Sequence, residues 1–193
     1  MQADYSVELG RDDEALEFPW ATPHGGPRYH DLKRNPEAIG EIEESVRFEE
    51  LRKFLTSING AASLLETAKC DVWAGTEINP EEEIFGQPWK FGCYVDCLFT
   101  ESSARYSFAD HEDLLKRLVA LLHHVPDIPS SAEFLLRRCF YHEEVELREG
   151  FYVTGYVFGY GADEAKARQQ WAIALKLVSN ALAQVSRDAT SGE

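Results

Sequence analysis

Two stretches with the same alternation of aromatic and polar residues dominate the chain. One runs from Trp89 to Phe99 and the other from Arg148 to Phe158, and both contain the pattern Gly-x-Tyr-Val. Aromatic and β-branched residues that recur at a period of two are typical of β-strands. A segment with helical periodicity follows each stretch, so we predict that they form the central strands of one antiparallel sheet.

Segments with helical spacing separate these strands. The first begins at Asn35-Pro36-Glu37, a typical helix start, and ends at Asn59-Gly60, with a break near Phe48. Further helices begin near Asp110 and after Asp163, and each carries a continuous apolar face. The remaining alternating segments, around Cys70 and over residues 132–141, predict two more strands.

The resulting order is α-β-β-α-β-β-α. It predicts an α+β fold in which a four-stranded antiparallel sheet has helices packed on one face. The repeated ββα unit raises the hypothesis of an internal duplication, because Lys69-Cys70 also matches Arg138-Cys139. Chance similarity between amphipathic strands explains these few identities equally well.

We predict a single α+β domain over residues 35–186, since the chain of 193 residues contains no long linker rich in Pro, Gly or Ser. Residues 1–34 are predicted to form an extended N-terminal arm that packs on the domain through Leu16, Phe18 and Trp20. Turn formers predict a loop over residues 22–27, and the acidic residues of 143–146 predict a connection. The polar residues 187–193 are predicted to be a frayed tail.

Charge narrows the classes of partner. The 19 basic and 34 acidic residues give a formal net charge of -15, which repels nucleic-acid phosphates and anionic lipids. No apolar run reaches the ~20 residues of a membrane span, and the N-terminus lacks the pattern of a signal peptide. We therefore predict a soluble, cytoplasmic protein with neither nucleic acid nor membrane as a partner.

The four cysteines fall within predicted strands, which favours reduced, buried thiols. Cys93-x-x-x-Cys97 has the spacing of some metal sites, but residues four apart on a strand stand roughly 13 Å apart. One zinc ion cannot bind two sulfur atoms at that separation. We therefore predict no metal site, and the sequence contains no cofactor motif.

Strand alternation divides the sheet into two faces. One face, rich in Cys, Val and Phe, is predicted to lie under the helices. The other combines aromatic rings with a few charges, a composition typical of a site for a small ligand. The predicted ligand-binding residues are Trp73, Tyr94, Asp96, Tyr152, Tyr156, Asp71 and Arg138.

Two alternatives compete with this prediction. The aromatic face could be covered by the N-terminal arm or by a second copy of the chain, which would make the protein a homo-oligomeric interaction protein. Asp71 and Asp96, on the same predicted face of neighbouring strands, could also act as the acid and base of a hydrolase. No catalytic motif is present, so we assign no catalytic residue and favour a binding protein over an enzyme.

Overall fold

The computed structural model describes residues 1–22, 26, 28–142 and 146–191, and these residues form an α+β fold. The loop predicted at 22–27 and the connection predicted at 143–146 lie mostly outside the described residues. Short 3-10 helices cover Pro36–Glu41 and Pro80–Phe85. The strands are β1 (Gln2–Glu8), β2 (Ala15–Phe18), β3 (Leu65–Gly75), β4 (Trp89–Phe99), β5 (Ser130–His142) and β6 (Leu147–Gly161), and the α-helices are α1 (Glu43–Arg47), α2 (Glu49–Ile58), α3 (Ser102–Arg105), α4 (Phe108–His123) and α5 (Glu164–Ser191).

The six strands in the described part of the chain belong to one sheet. Its order is β1-β5-β6-β4-β3, with β2 also paired to β5. The β5–β6, β6–β4 and β4–β3 pairs are antiparallel, whereas β1 and β2 run parallel to β5. The predicted α+β class is confirmed, but the predicted four-stranded, wholly antiparallel sheet is wrong, because residues 1–34 contribute two parallel strands.

The first helical segment divides where the sequence indicated. A 3-10 helix and α1 precede Phe48, which adopts an extended conformation and serves as the N-cap of α2. Helix α4 begins two residues before Asp110 because the hydroxyl of Ser107 caps it, accepting a hydrogen bond from the Asp110 amide at 3.2 Å. Helix α5 continues to Ser191, beyond Arg187, where the tail was predicted to fray.

The main core lies between one face of the sheet and helices α2, α4 and α5. Trp171 of α5 is completely buried there, and its indole N–H donates to the sulfur of Cys93 at 3.4 Å. Gly159 lets α5 approach β6 closely, since an added Cβ would lie 2.0 Å from the backbone nitrogen of Trp171. A fully buried Leu or Phe contributes about 2 kcal/mol to the stability of such a core.

The opposite face carries a second, smaller apolar cluster beneath the N-terminal segment. Arg105 of α3 holds this cluster together: its guanidinium donates to the buried Glu66 at 2.5 Å and lies over the rings of Phe18 and Tyr141. The N-terminal segment therefore covers one end of the sheet. The buried members are Leu16, Phe18, Leu98, Cys139, Tyr141 and Tyr152.

The cysteines are free thiols within the described residues. Cys93 and Cys97 are buried on the side of the helices, and Cys139 is buried beneath the N-terminal segment. Cys70 is only partly buried, on the edge strand β3. Burial raises the pKa of the Cys93 thiol to about 12, so this thiol stays protonated at neutral pH.

The strand register bears on the duplication hypothesis. Each hairpin is followed by helices, as a repeated ββα unit requires. In the sheet, Val95 pairs with Cys70, whereas Val153 pairs with Leu136. If the two Gly-x-Tyr-Val patterns correspond, Cys70 corresponds to Leu136 and not to Cys139. The two sequence matches therefore do not share one strand register.

Candidate functional site

The sheet face opposite the helices is built from rows of side chains that cross the strands. In one row, Asp4 pairs with Glu133, Glu133 with Tyr156, and Tyr156 with Tyr94. The row ends on β3, where Tyr94 pairs with Asp71. Two tyrosine rings are thus flanked by carboxylates.

The neighbouring row contains the largest rings of this face. It runs from Gln2 through Ser131, Phe158 and Gly92 to Trp73. Gly92 gives the Phe158 ring room against the sheet, because a Cβ at this position would be 2.4 Å from the phenyl ring. The ring centroids of Trp73 and Phe158 are 5.8 Å apart in an edge-to-face arrangement.

The rings of the two rows form one continuous surface. The centroid of Tyr156 lies 6.1 Å from that of Tyr94, 6.4 Å from that of Trp73 and 6.3 Å from that of Phe158. The surface continues to Tyr160, whose ring stacks on Phe85 at 4.2 Å. Tyr160 is 1% exposed beneath Phe85, whereas Trp73, Tyr94, Tyr156 and Phe158 are half-buried. These four half-buried rings offer an apolar area with polar rims.

The 3-10 helix at Pro80–Phe85 forms a wall beside this surface. Glu82 fixes the wall to the sheet: its carboxylate accepts hydrogen bonds from Lys90 at 2.9 Å and from the Tyr160 hydroxyl at 2.8 Å. The Glu82 carboxylate also accepts a hydrogen bond from the backbone N–H of Asn79 at 2.7 Å, which completes a capping box. Ile84, at the other side of the same helix, is 68% exposed.

A groove of about 780 Å³ lies between this wall and strand β1. Its floor is made by β5 and β6, and the aromatic rings of Tyr156, Phe158 and Tyr160 lie along it. Binding sites for small molecules commonly have volumes of roughly 300–1,000 Å³. The remaining lining residues are Gln2, Ala3, Asp4, Glu8, Asn79, Glu82, Ile84, Phe85, Ser131, Ala132, Glu133 and Leu135.

Among the described residues, those that line the groove and carry a charge are all acidic. Glu82 is neutralised by Lys90, and Glu8 accepts a hydrogen bond from Arg137 at 2.8 Å. Asp4 and Glu133 are exposed and stand side by side on neighbouring strands, roughly 4.8 Å apart along the sheet.

Asp96 lies in a different environment, deeper in the sheet. Its side chain accepts a hydrogen bond from the hydroxyl of the buried Thr154 at 2.7 Å, and only 5% of Asp96 is exposed. Burial raises the pKa of Asp96 to about 6, against the opposing effect of the Thr154 hydrogen bond. Glu14 of the N-terminal segment raises this pKa further, and Lys69 lowers it.

Arg137 connects this buried region to the N-terminal segment. Its guanidinium donates to Glu8 at 2.8 Å, to Glu14 at 3.0 Å and to the Thr154 hydroxyl at 3.4 Å. Glu8 and Glu14 stand on either side of the turn between β1 and β2, so Arg137 holds this turn against the sheet.

The structure brings together only part of the predicted site. Tyr156 lines the groove, and Trp73 and Tyr94 contact it through their rings. Tyr152 lies on the predicted face but is 1% exposed, because the N-terminal segment covers it. Asp96 is buried outside the groove lining.

Asp71 is exposed on the edge strand, and its side chain accepts a hydrogen bond from the Val72 amide at 2.7 Å. The placement of Arg138 on this face needs correction. Arg138 pairs with Phe151, which packs against the helix-side core, whereas its neighbour Arg137 pairs with Tyr152. The guanidinium of Arg138 donates to the Gly10 carbonyl at 2.6 Å.

Sequence reasoning missed several residues of the groove. Phe158 and Tyr160 continue the alternation that includes Tyr156, and extending that pattern would have found them. Asp4 was missed because β1 was interpreted as an arm, although Ala3, Tyr5 and Val7 alternate with polar residues as in a strand.

Comparisons with models of protein families, with curated proteins and with solved structures found no match to this chain. Within the described residues, no helix combines the length and apolar character needed to cross a membrane. The same part of the chain contains no cluster of three or more His, Cys, Asp or Glu side chains suited to a metal ion. The groove therefore has to be interpreted from its own chemistry.

Proposed function

We propose that this protein binds a small organic ligand in the groove over Tyr156 and Phe158. The observation that carries the proposal is a groove of about 780 Å³ whose floor is aromatic and whose rim is polar. Rings contribute contact area at a low cost in conformational entropy, and a few polar groups fix the orientation of a ligand.

Two structural features support the proposal. Glu82 and its hydrogen bonds to Lys90 and Tyr160 hold the wall of the groove in place, so little ordering is needed on binding. Gly92 leaves room for the Phe158 ring, which is half-buried in the groove lining and has the Lys90 ammonium over it at 5.4 Å from the centroid.

A ligand-observed NMR screen tests the proposal. The library contains equal numbers of anionic, neutral and cationic aromatic fragments, and we expect hits for the wild-type protein. The double variant Tyr156→Ala/Phe158→Ala removes the floor and should abolish these hits. Phe108→Ala removes an aromatic ring that is 37% exposed outside the groove lining and should retain them. No hits with the wild type, or hits that survive in the double variant, would overturn the proposal.

Self-association over the same face is the second candidate. The observation in its favour is Ile84, an apolar side chain that is 68% exposed at the mouth of the groove. A stable dimer would bury on the order of 1,000 Å² or more. Sedimentation velocity separates the two candidates: a monomer at micromolar concentration favours the ligand site, and a dimer that Ile84→Glu dissociates favours self-association.

The hydrolase hypothesis stays a prediction. Asp71 and Asp96 differ in environment, as an acid and a base must, because one is exposed and the other is 5% exposed with a pKa of about 6. Neither carboxylate lines the groove. The geometry therefore supports binding in the groove better than hydrolysis.

A further inference from the structure

We infer that Asp96 is a proton-controlled switch for the N-terminal segment: when its carboxyl group loses its proton, it draws Arg137 away from Glu14. The inference goes beyond the proposed function and does not depend on a ligand in the groove. It rests on a buried chain of polar contacts that crosses the sheet from β4 through β6 to β5 and ends at the residue before β2.

The first feature is the buried position of Asp96. Its carboxylate accepts a hydrogen bond from the Thr154 hydroxyl at 2.7 Å, and the two residues are 5% and 1% exposed. The ion pairs among the described residues do not include Asp96. A buried carboxylate without a cation in contact is strongly unfavourable, because it has lost its hydration and gained no opposite charge. This site therefore suits the protonated form, and ionisation favours a rearrangement that brings a cation closer.

The second feature is the way in which Arg137 divides its hydrogen bonds. Its Nε donates to Glu8 at 2.8 Å, whereas its Nη1 donates to Glu14 at 3.0 Å and to the Thr154 hydroxyl at 3.4 Å. The nitrogen that binds Glu14 is thus separated from Asp96 by one hydroxyl group. The Glu14 side chain is 64% exposed, so it is readily hydrated when released. An ionised Asp96 therefore competes with Glu14 for Nη1, while Glu8 keeps Nε.

The other groups around Asp96 leave two cations that can respond to its charge. The titratable and charged groups that interact with it electrostatically are Lys69 and Cys70 of β3, Tyr94 and Cys97 of β4, Arg137 and Cys139 of β5, Tyr152 of β6, and Glu14. Burial raises the pKa of these tyrosines and thiols, so they carry no charge at neutral pH. The Lys69 ammonium lies over the Trp20 ring at 5.2 Å, whereas Arg137 is already connected to Asp96 through a hydroxyl group. We therefore assign the response to Arg137.

The switch has a defined direction. Burial raises the pKa of Asp96 to about 6, so this carboxyl is protonated in mild acid and ionised at neutral pH. Glu14 is the residue before β2, and its contact with Arg137 should hold below this pKa and break above it. The turn between β1 and β2 keeps a second attachment, since Arg138 donates to the Gly10 carbonyl at 2.6 Å. Ionisation thus loosens the start of β2 and leaves the rest of the turn in place.

A double-mutant cycle in the full chain tests the inference. The free energy of unfolding in urea is measured at pH 5 and pH 7.5 for the wild type, Glu14→Gln, Arg137→Gln and the double variant. At pH 5 we expect the two residues to be coupled by about threefold in the unfolding equilibrium, as for a partly exposed ion pair. At pH 7.5 this coupling should be lost.

Two controls isolate the role of the Asp96 proton. In the Asp96→Asn background, the coupling between Glu14 and Arg137 should persist at pH 7.5, because the amide carries no charge. In the wild-type background, the cycle of Glu8→Gln and Arg137→Gln should show the same coupling at both pH values, because Glu8 binds Nε. A general loosening of the segment would instead weaken both couplings.

Carboxyl-carbon NMR of the wild type supplies the same test if Arg137→Gln does not fold. The Glu14 signal should show a second step at the pH where Asp96 titrates, the Glu8 signal should not, and Asp96→Asn should abolish the step. Equal coupling between Glu14 and Arg137 at both pH values would overturn the inference and assign the response to Lys69. A Glu14 titration without the second step, or an equal effect on Glu8, would overturn it as well.

Discussion

Replacing Asp96 with Asn should raise the stability of the protein relative to the wild type as the pH increases from acid to neutral. Burial raises the pKa of this carboxyl from 3.8 to about 6. The folded state therefore binds a proton more tightly than the unfolded state over this interval, and the stability of the wild type falls as the pH rises through it.

The size of the effect follows from the shift. A difference of about 2 pKa units at about 1.4 kcal/mol per unit gives about 3 kcal/mol, most of it lost between about pH 4 and pH 6. The buried position of Asp96, with 5% exposure, means that solvent screening reduces this value little. In the Asp96→Asn variant, the carbonyl of the new amide side chain can still accept the hydrogen bond from Thr154, so the variant keeps that contact while it loses the charge.

Urea unfolding between pH 3.5 and pH 8 measures the effect. The difference in the free energy of unfolding between Asp96→Asn and the wild type should increase by about 3 kcal/mol across this range. The amide hydrogens of the introduced side chain can lower the whole curve by about 1 kcal/mol, but they cannot change its slope. Asp71→Asn is the control, since Asp71 is exposed on the edge strand. A pH-independent difference for the Asp96 variant would refute the reasoning.

Two further substitutions test how the face is built. Gly92→Ala places a Cβ 2.4 Å from the Phe158 ring, so it should destabilise the protein by about 1–3 kcal/mol in urea unfolding and weaken fragment binding, whereas Gly40→Ala, with no atom within 4 Å, should do neither. Arg105→Leu should speed hydrogen exchange in residues 14–22 by loosening the N-terminal segment, while Arg117→Leu, which breaks only exposed ion pairs, should not. Unchanged exchange in the Arg105 variant would show that the other contacts of the segment, including those of Arg137 with Glu8 and Glu14, hold it without Arg105.

The sequence was sufficient for the central part of the fold because the strands β4 and β6 follow a strict alternation. Tyr94 and Tyr156 were assigned to one face by that alternation, and the sheet pairs them directly. The break of the first helix at Phe48 was also predicted correctly. Local periodicity shows which face of a strand or helix a side chain lies on, and this information is sufficient to predict the strand faces and the helix break.

The groove was not predictable to the same extent, since it depends on pairing between distant segments. No pattern within the residues of β1 shows that this strand pairs with β5 in parallel. Without that pairing, Asp4 would not lie beside Glu133. The cover over Tyr152 has the same origin, because it comes from residues more than a hundred positions earlier in the chain. Arg138 was misplaced because two adjacent arginines look alike in sequence, while only the register shows that Arg137, and not Arg138, lies on the sheet face opposite the helices.

The central claim is that a ligand binds over the aromatic floor of the groove. Backbone NMR shifts of the ¹⁵N-labelled protein, followed during a titration with the aromatic fragment that binds most tightly in the ligand-observed screen, test this claim most directly. The account predicts saturable shift changes that cluster at Asp4, Glu133, Tyr156, Phe158 and the segment 80–85. Changes confined to another surface, or no saturable change at millimolar ligand, would contradict it.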